Sequence, residues 1–195
     1  METTSVSLLD RIANDGENSD WAKLFSIYRP FVASVVNRYP ALVSQSDDIT
    51  QEVIIILMRE LPAFRRQRTG SFRSWLRGIT VNQLRIALRK SKKFQQTDSP
   101  GIEMEAELDE LANPASIAAK KWDEEHDAMV LKRIVKVVRA DFKETTWTAF
   151  QRYAIEKRPP AEVAAELNIS LNSVLLAKSR VLRRMREEAA GLIDE

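Results

Sequence analysis

The stretch "DDITQEVIIIL", residues 47–57, decides the fold class. Its β-branched run, Val53 to Ile56, has the composition of a buried strand, yet two carboxylates open the stretch and Gln51 and Glu52 continue it. Length argues for a helix, because the pattern extends over residues 47–61, beyond an ordinary strand. Ser46 is then the expected N-cap, with Asp47 and Asp48 placed against the positive end of the helix dipole. On a helix Asp48, Gln51, Glu52, Ile55 and Arg59 share one narrow stripe, while Ile49, Val53, Ile56 and Leu57 point elsewhere. Spacing alone leaves two readings of that stripe: a solvated face with one exposed Ile, or a contact surface. As a metal site, Asp47, Asp48 and Glu52 lack a third ligand type nearby.

Working outward, apolar spacing is helical nearly everywhere: Trp21, Leu24, Phe25 and Tyr28, then Trp75, Leu76, Ile79 and Leu84, and later Val130, Ile134, Val137 and Val138. No convincing strand pair or repeat is present, so an all-α fold is expected. With 195 residues and 44% hydrophobic content the chain can form one domain or two small ones. The absence of Cys and the single His remove disulfides, thiolate nucleophiles, Cys zinc sites and His clusters. Neither catalysis nor a cofactor or metal is expected, and His126 is assigned to surface or core packing. The N-terminus has no basic start followed by an apolar run, and no stretch approaches the ~20 apolar residues of a membrane span. A cytoplasmic protein without a membrane partner is expected.

The net charge of +2 is unevenly spread. Arg65, Arg66, Arg68, Arg73, Arg77, Arg85, Arg89 and Lys90 follow one another without an acid, and Lys178 to Arg186 adds five more bases. Two basic patches suggest a polyanion touched twice. Acids gather in "GIEMEAELDELANP", residues 101–114, which carries Pro, Gly and five carboxylates and only weak apolar periodicity. Residues 93–119 are therefore expected to be a flexible acidic linker between domains at 1–92 and 120–195.

"AEVAAELNISLNSVLLAKSRVLRRMRE", residues 161–187, reads as helix, tight turn, helix. Pro159 and Pro160 start the first helix, Asn168 suits a left-handed turn, and Ser170 can cap the second. Ala164, Leu167, Ile169, Val174 and Ala177 take the inward positions of a helix-turn-helix, with Val181 and Met185 continuing the inward face. Asn172, Leu176, Ser179, Arg180 and Arg183 then form the outer face, where a recognition helix meets a major groove; an ordinary helical hairpin with a basic face is the alternative. The other patch, "RQRTGSFRSWLRGITVNQLRIALRK", mixes Arg with Phe72 and Trp75, as a binder of single-stranded nucleic acid requires. The same two rings at helical spacing also suit a core.

Together these segments resemble a bacterial RNA polymerase sigma factor of the extracytoplasmic-function group, over about 21–90 and 122–190. "SDDITQEVIIILMRELPAF" is similar to that family's Asp-Asp-Leu-x-Gln-Glu-Val-Phe polymerase-binding helix, "SFRSWLRGITVNQLRIALRK" to its promoter-melting and minus-10 helix, and residues 161–187 to its minus-35 helix-turn-helix. The closing "AKSRVLRRMRE" resembles a planctomycete subgroup. The resemblance implies two helical domains, sigma regions 2 and 4, and a chain that is monomeric when free. It also implies that Asp47, Asp48, Gln51, Glu52 and Ile55 dock on the clamp helices of the largest subunit of core RNA polymerase. Asn82 would lie near the unstacked non-template strand, with Trp75 beside it, and the Phe64 to Ser71 segment, including Arg65, Arg66 and Arg68, would receive a flipped base. Arg73, Arg77, Arg85 and Arg89 would hold phosphates. Ser170, Asn172, Ser173, Leu176, Ser179, Arg180 and Arg183 would face the minus-35 DNA, with Arg184 and Arg186 on phosphate. Promoter DNA, double- and single-stranded, and core polymerase are the implied partners, with an anti-sigma factor as a further candidate. Leu175, Leu176 and Ala177 depart from the family's usual basic or small polar run, so its usual base readers are partly absent. A stand-alone helix-turn-helix regulator and a helical adaptor that binds only protein are the competing readings.

Overall fold

The computed structural model describes residues 8–64, 71–95 and 99–193. Among these the regular structure is helical, with no strand. The helices are α1 (Leu8–Asp15), α2 (Asn18–Val36), α3 (Ser46–Glu60), α4 (Ser71–Gln95), α5 (Ser99–Ala112), α6 (Ile117–Arg139), α7 (Glu144–Phe150), α8 (Pro160–Leu167) and α9 (Leu171–Ala189). The β-branched run lies within α3, as its length requires. The expected cap is displaced by one residue: Ser46 is the first helical residue, and Gln45, the last of a 3-10 turn over Pro40–Gln45, takes the cap position without a side-chain cap bond. The 3-10 turn feeds directly into α3, and the Gln45 amide instead donates to Ser91 Oγ at 2.9 Å. Asp47 and Asp48 remain in the first turn, where the dipole favours them.

The chain divides into two compact units, Leu8–Val130 with 191–193, and Leu131–Ala190. In the first, α2 buries Leu24, Ile27, Tyr28, Phe31, Val32, Val35 and Val36, the helical period of its sequence made physical. α3 turns Ile49, Val53 and Leu57 inward, and α4 contributes Phe72, Leu76, Ile79, Leu84 and Leu88. The division falls inside α6, later than expected. The stretch read as a flexible linker is the correction. Over Ser99–Ala112 it is helix α5, packed on α4, with Met104, Leu108 and Leu111 buried at spacings of four and three. Five carboxylates share the helix with those three residues, and they lie on its exposed side. The first half of α6 also belongs here: Trp122 packs edge-on against Phe31 at 4.8 Å between ring centres, and His126 is fully buried.

In the second unit a core of Ala149, Val163, Ala164, Val174 and Ala177 joins α7, α8 and α9, with Tyr153, Leu167 and Ile169 packed against it. Pro160 opens α8. Asn168 takes the left-handed conformation at φ 52, ψ 48, and the N–H groups of Asn168 and Ile169 close the helix end on the carbonyls of Ala165 and Ala164. Ser170 caps α9 by accepting from the Ser173 N–H at 3.1 Å.

Candidate functional site

On α3, Asp47, Asp48, Gln51, Glu52 and Ile55 are all exposed, Ile55 to 42%, while the opposite side of the helix is core. Asp48, Gln51 and Glu52 also form one wall of a cleft of about 340 Å³, whose other wall is Gln83, Ile86, Ala87 and Lys90 of α4. Ile86 is exposed as well. The two helices thus offer a mixed surface, with isolated apolar side chains among acids, amides and a lysine. Such composition suits a partner that brings both charge and apolar area.

On α4 the aromatic residues divide between core and edge. Phe72 is buried and meets Tyr28 edge-on, whereas Trp75 is half-buried and stacks on the Phe64 ring at 4.8 Å and 29°. Asn82 is exposed and, with Ser74, Gly78 and Arg85, lines a small hollow closed on the far side by Ala112 and Pro114. Arg89 and Lys90 are exposed. Of the remaining candidates, Arg65, Arg66 and Arg68 lie outside the described residues, as does the side chain of Ser71.

Three arginines of α4 meet carboxylates from the segment that follows. Arg73 Nη1 lies 2.8 Å from Asp127 Oδ2, and Arg77 Nη1 lies 2.7 Å from Asp123 Oδ1. Arg85 pairs with Asp109 of α5. Arg77 is only 4% exposed, so these contacts correct the expectation that Arg73, Arg77 and Arg85 stand open to phosphate. For Arg73 and Arg77 the physical reason is burial, because a guanidinium taken out of water requires a counter-charge and α6 supplies it, whereas Arg85 meets Asp109 of α5 in a more exposed pair. His126 extends the network, donating from Nδ1 to Asp127 Oδ1 at 2.8 Å, with the Tyr28 hydroxyl 3.2 Å from Nε2. Burial, helped by the Asp127 charge, pushes the Tyr28 hydroxyl well above its ordinary range. Burial would also raise the Asp127 carboxyl, but the His126 hydrogen bond and the Arg73 charge outweigh it and hold the group below its ordinary 3.8.

On α9 the outward face carries Asn172, Ser173, Leu176, Ser179, Arg180, Arg183 and Arg186, all exposed, and Ser170 is exposed at its cap. Arg183 reaches Glu187 at 3.7 Å. Arg184 departs from the expectation of an open phosphate holder, because Asp141 Oδ2 at 2.9 Å and Glu188 Oε2 at 2.8 Å hold it between them. Burial would lower its pKa, yet these two carboxylates raise it further.

Residues 24–94 match the family model of Sigma-70 region 2. The match runs from α2 through α3 into the end of α4 and supports a sigma factor family, with a role in RNA polymerase binding and promoter melting. No curated protein matches the chain. Every α3 stripe residue and every α4 candidate falls inside the region 2 segment. Asp109, Asp123, His126 and Asp127 fall outside it, as does all of α9. The carboxylates that face the region 2 arginines thus come from a part of the chain that sequence reasoning assigned to a linker and a second domain. The signal for them was available: Ala119, Trp122, His126 and Val130 recur at helical spacing ahead of the expected start of apolar periodicity. No helix among the described residues is long and apolar enough to cross a membrane.

Proposed function

We propose that this chain is a sigma factor of the extracytoplasmic-function group, which binds core RNA polymerase and directs initiation at particular promoters. The observation that carries the reading is the Sigma-70 region 2 match over 24–94, within which an exposed polar stripe with a central Ile runs along α3. In this reading Asp47, Asp48, Gln51, Glu52 and Ile55 dock on the clamp helices of the largest polymerase subunit, with Ile55 giving buried apolar area and the acids and amide giving register. Trp75, Phe64 and Asn82 engage an unstacked promoter strand, where rings receive bases and the amide hydrogen-bonds a base edge. Arg89 holds phosphate, and the face of α9 reads the upstream element in the major groove. The domains are sigma region 2 and a helix-turn-helix region 4, and the planctomycete-type ending of α9 belongs to the same reading. The protein is not an enzyme, needs no cofactor, works in the cytoplasm as a monomer until polymerase binds, and is open to capture by an anti-sigma factor through the same α3 face. A stand-alone regulator would account for α8 and α9 but leave residues 24–94 without a role.

The test is co-purification of the full chain with core polymerase, followed by transcription from a promoter library. Asp48→Lys combined with Gln51→Ala should leave the fold intact, since both residues are exposed, and abolish polymerase binding. Ile55→Ala should weaken it by about 1–2 kcal/mol, the usual loss for an interface anchor. Equal competition by wild type and the double variant would remove α3 from the interface.

A further inference from the structure

Leu171, Leu175 and Leu176 are all exposed on α9, and of the three Leu176 stands at the centre of the face that would meet DNA. It is 40% exposed, and it lies four residues from both Asn172 and Arg180, in the middle of the face opposite the buried Val174, Ala177 and Val181. Nothing in the fold requires an apolar residue there: the core of this unit is complete without it. The surroundings indicate what covers it. Lys178, Arg180, Arg183 and Arg186 surround the helix, and no carboxylate occurs between Glu166 and Glu187, so the face suits a polyanion far better than an apolar protein surface. Toward α7, Leu176 borders a concavity lined by Thr145, Thr146, Ser173 and Arg180 together with Ala149, Ile169 and Ala177, and of its apolar side chains Leu176 is the exposed one.

A leucine neither donates nor accepts a hydrogen bond. Among the groups a base pair presents in the major groove, only the thymine C5-methyl is apolar. We infer that Leu176 is a specificity-determining residue that reads a thymine methyl in the upstream promoter element. This rests on the proposed function, which puts α9 in the major groove, and adds the identity of one base pair. Geometry constrains the position further. Four helical residues span about 6 Å, so the thymine lies about two base pairs from whichever base Asn172 contacts. A cytosine there has no C5-methyl and so offers Leu176 no apolar partner, whereas thymine buries its methyl against the side chain.

The experiment uses polymerase carrying the full chain and an upstream element selected from a randomised duplex library. Each thymine of that element is replaced in turn by deoxyuridine, which removes the methyl and leaves base pairing unchanged. At one position binding should fall about four-fold, the worth of one buried methyl. Leu176→Ala should bind the thymine and deoxyuridine versions of that position alike, while keeping wild-type responses at the other thymines. The exposure of Leu176 predicts an unchanged melting temperature for the variant, so a lost response is not an unfolded protein. If no thymine responds, or if the response survives in Leu176→Ala, the inference is overturned while upstream protection still supports the proposed function. Absence of any upstream protection overturns both.

Discussion

Asp127 shows how much one side chain can couple. It accepts from His126, faces Arg73, and through His126 reaches Tyr28, so a single carboxylate serves α2, α4 and α6. Its lowered pKa fixes the sign of a pH effect. A carboxylate whose folded pKa lies below its unfolded value contributes stability that is fully present above the unfolded value and lost as pH falls through the folded one. Asp127→Asn should therefore cost about 1–2 kcal/mol at pH 7, discounted for partial solvent access, and the gap from wild type should close as the pH drops below about 4. Urea unfolding midpoints of both proteins at pH 7, 5 and 3 check this, and a gap of constant size across the series would show that the charge contributes nothing. The sequence carries the helical spacing that brings Asp127 into α6, but not the partners of that side chain. The sequence left His126 between surface and core packing, and the structure buries it with partners 98 residues away at Tyr28 and one residue on at Asp127, of which no local spacing encodes the first.

At the scale of elements, legibility followed the balance between local pattern and tertiary burial. α8 and α9 were readable because their caps, breakers and apolar periods agree: Pro160 at the start, Asn168 at the left-handed turn and Ser170 at the cap are local devices, whereas α3 was readable from its length and apolar period although its cap lies one residue earlier than expected. α5 was not readable, because its composition resembles that of a disordered segment and only Met104, Leu108 and Leu111 argue otherwise. Three buried apolar residues on a charged helix are a weak signal in one dimension and a strong one once α4 lies beneath them. Leu108 has no solvent exposure, so Leu108→Ala should destabilise the first unit by about 2–4 kcal/mol, through lost transfer energy and the cavity left behind. A tether without packing would tolerate the change at almost no cost. Denaturant unfolding of the full chain, with hydrogen exchange over residues 102–112, separates the two: protected amides in wild type that exchange quickly in the variant are the expected result.

For the whole molecule, under the proposed function, the decisive distinction is between binding a duplex and opening it. In the proposed function the α3 stripe, Asn82 on α4 and the outward face of α9 serve different steps, so each step can be removed by itself. Separating strands costs a few kcal/mol per unstacked step, and only contacts to the extruded strand offset that cost. Asn82 is exposed and Trp75 is half-buried in a stack with Phe64, so the first can be changed without touching the core, whereas the second cannot. Asn82→Ala should therefore retain polymerase binding and upstream protection and lose promoter opening, read as permanganate reactivity of the promoter thymines. A template with a pre-opened bubble has already met most of the unpairing cost, so on it the variant should regain much of its transcription. Recovery on the bubble would place the defect in strand separation and not in docking. Full opening of the closed duplex by Asn82→Ala would remove this side chain from the melting step and leave Phe64 and Trp75 as the aromatic candidates on that face.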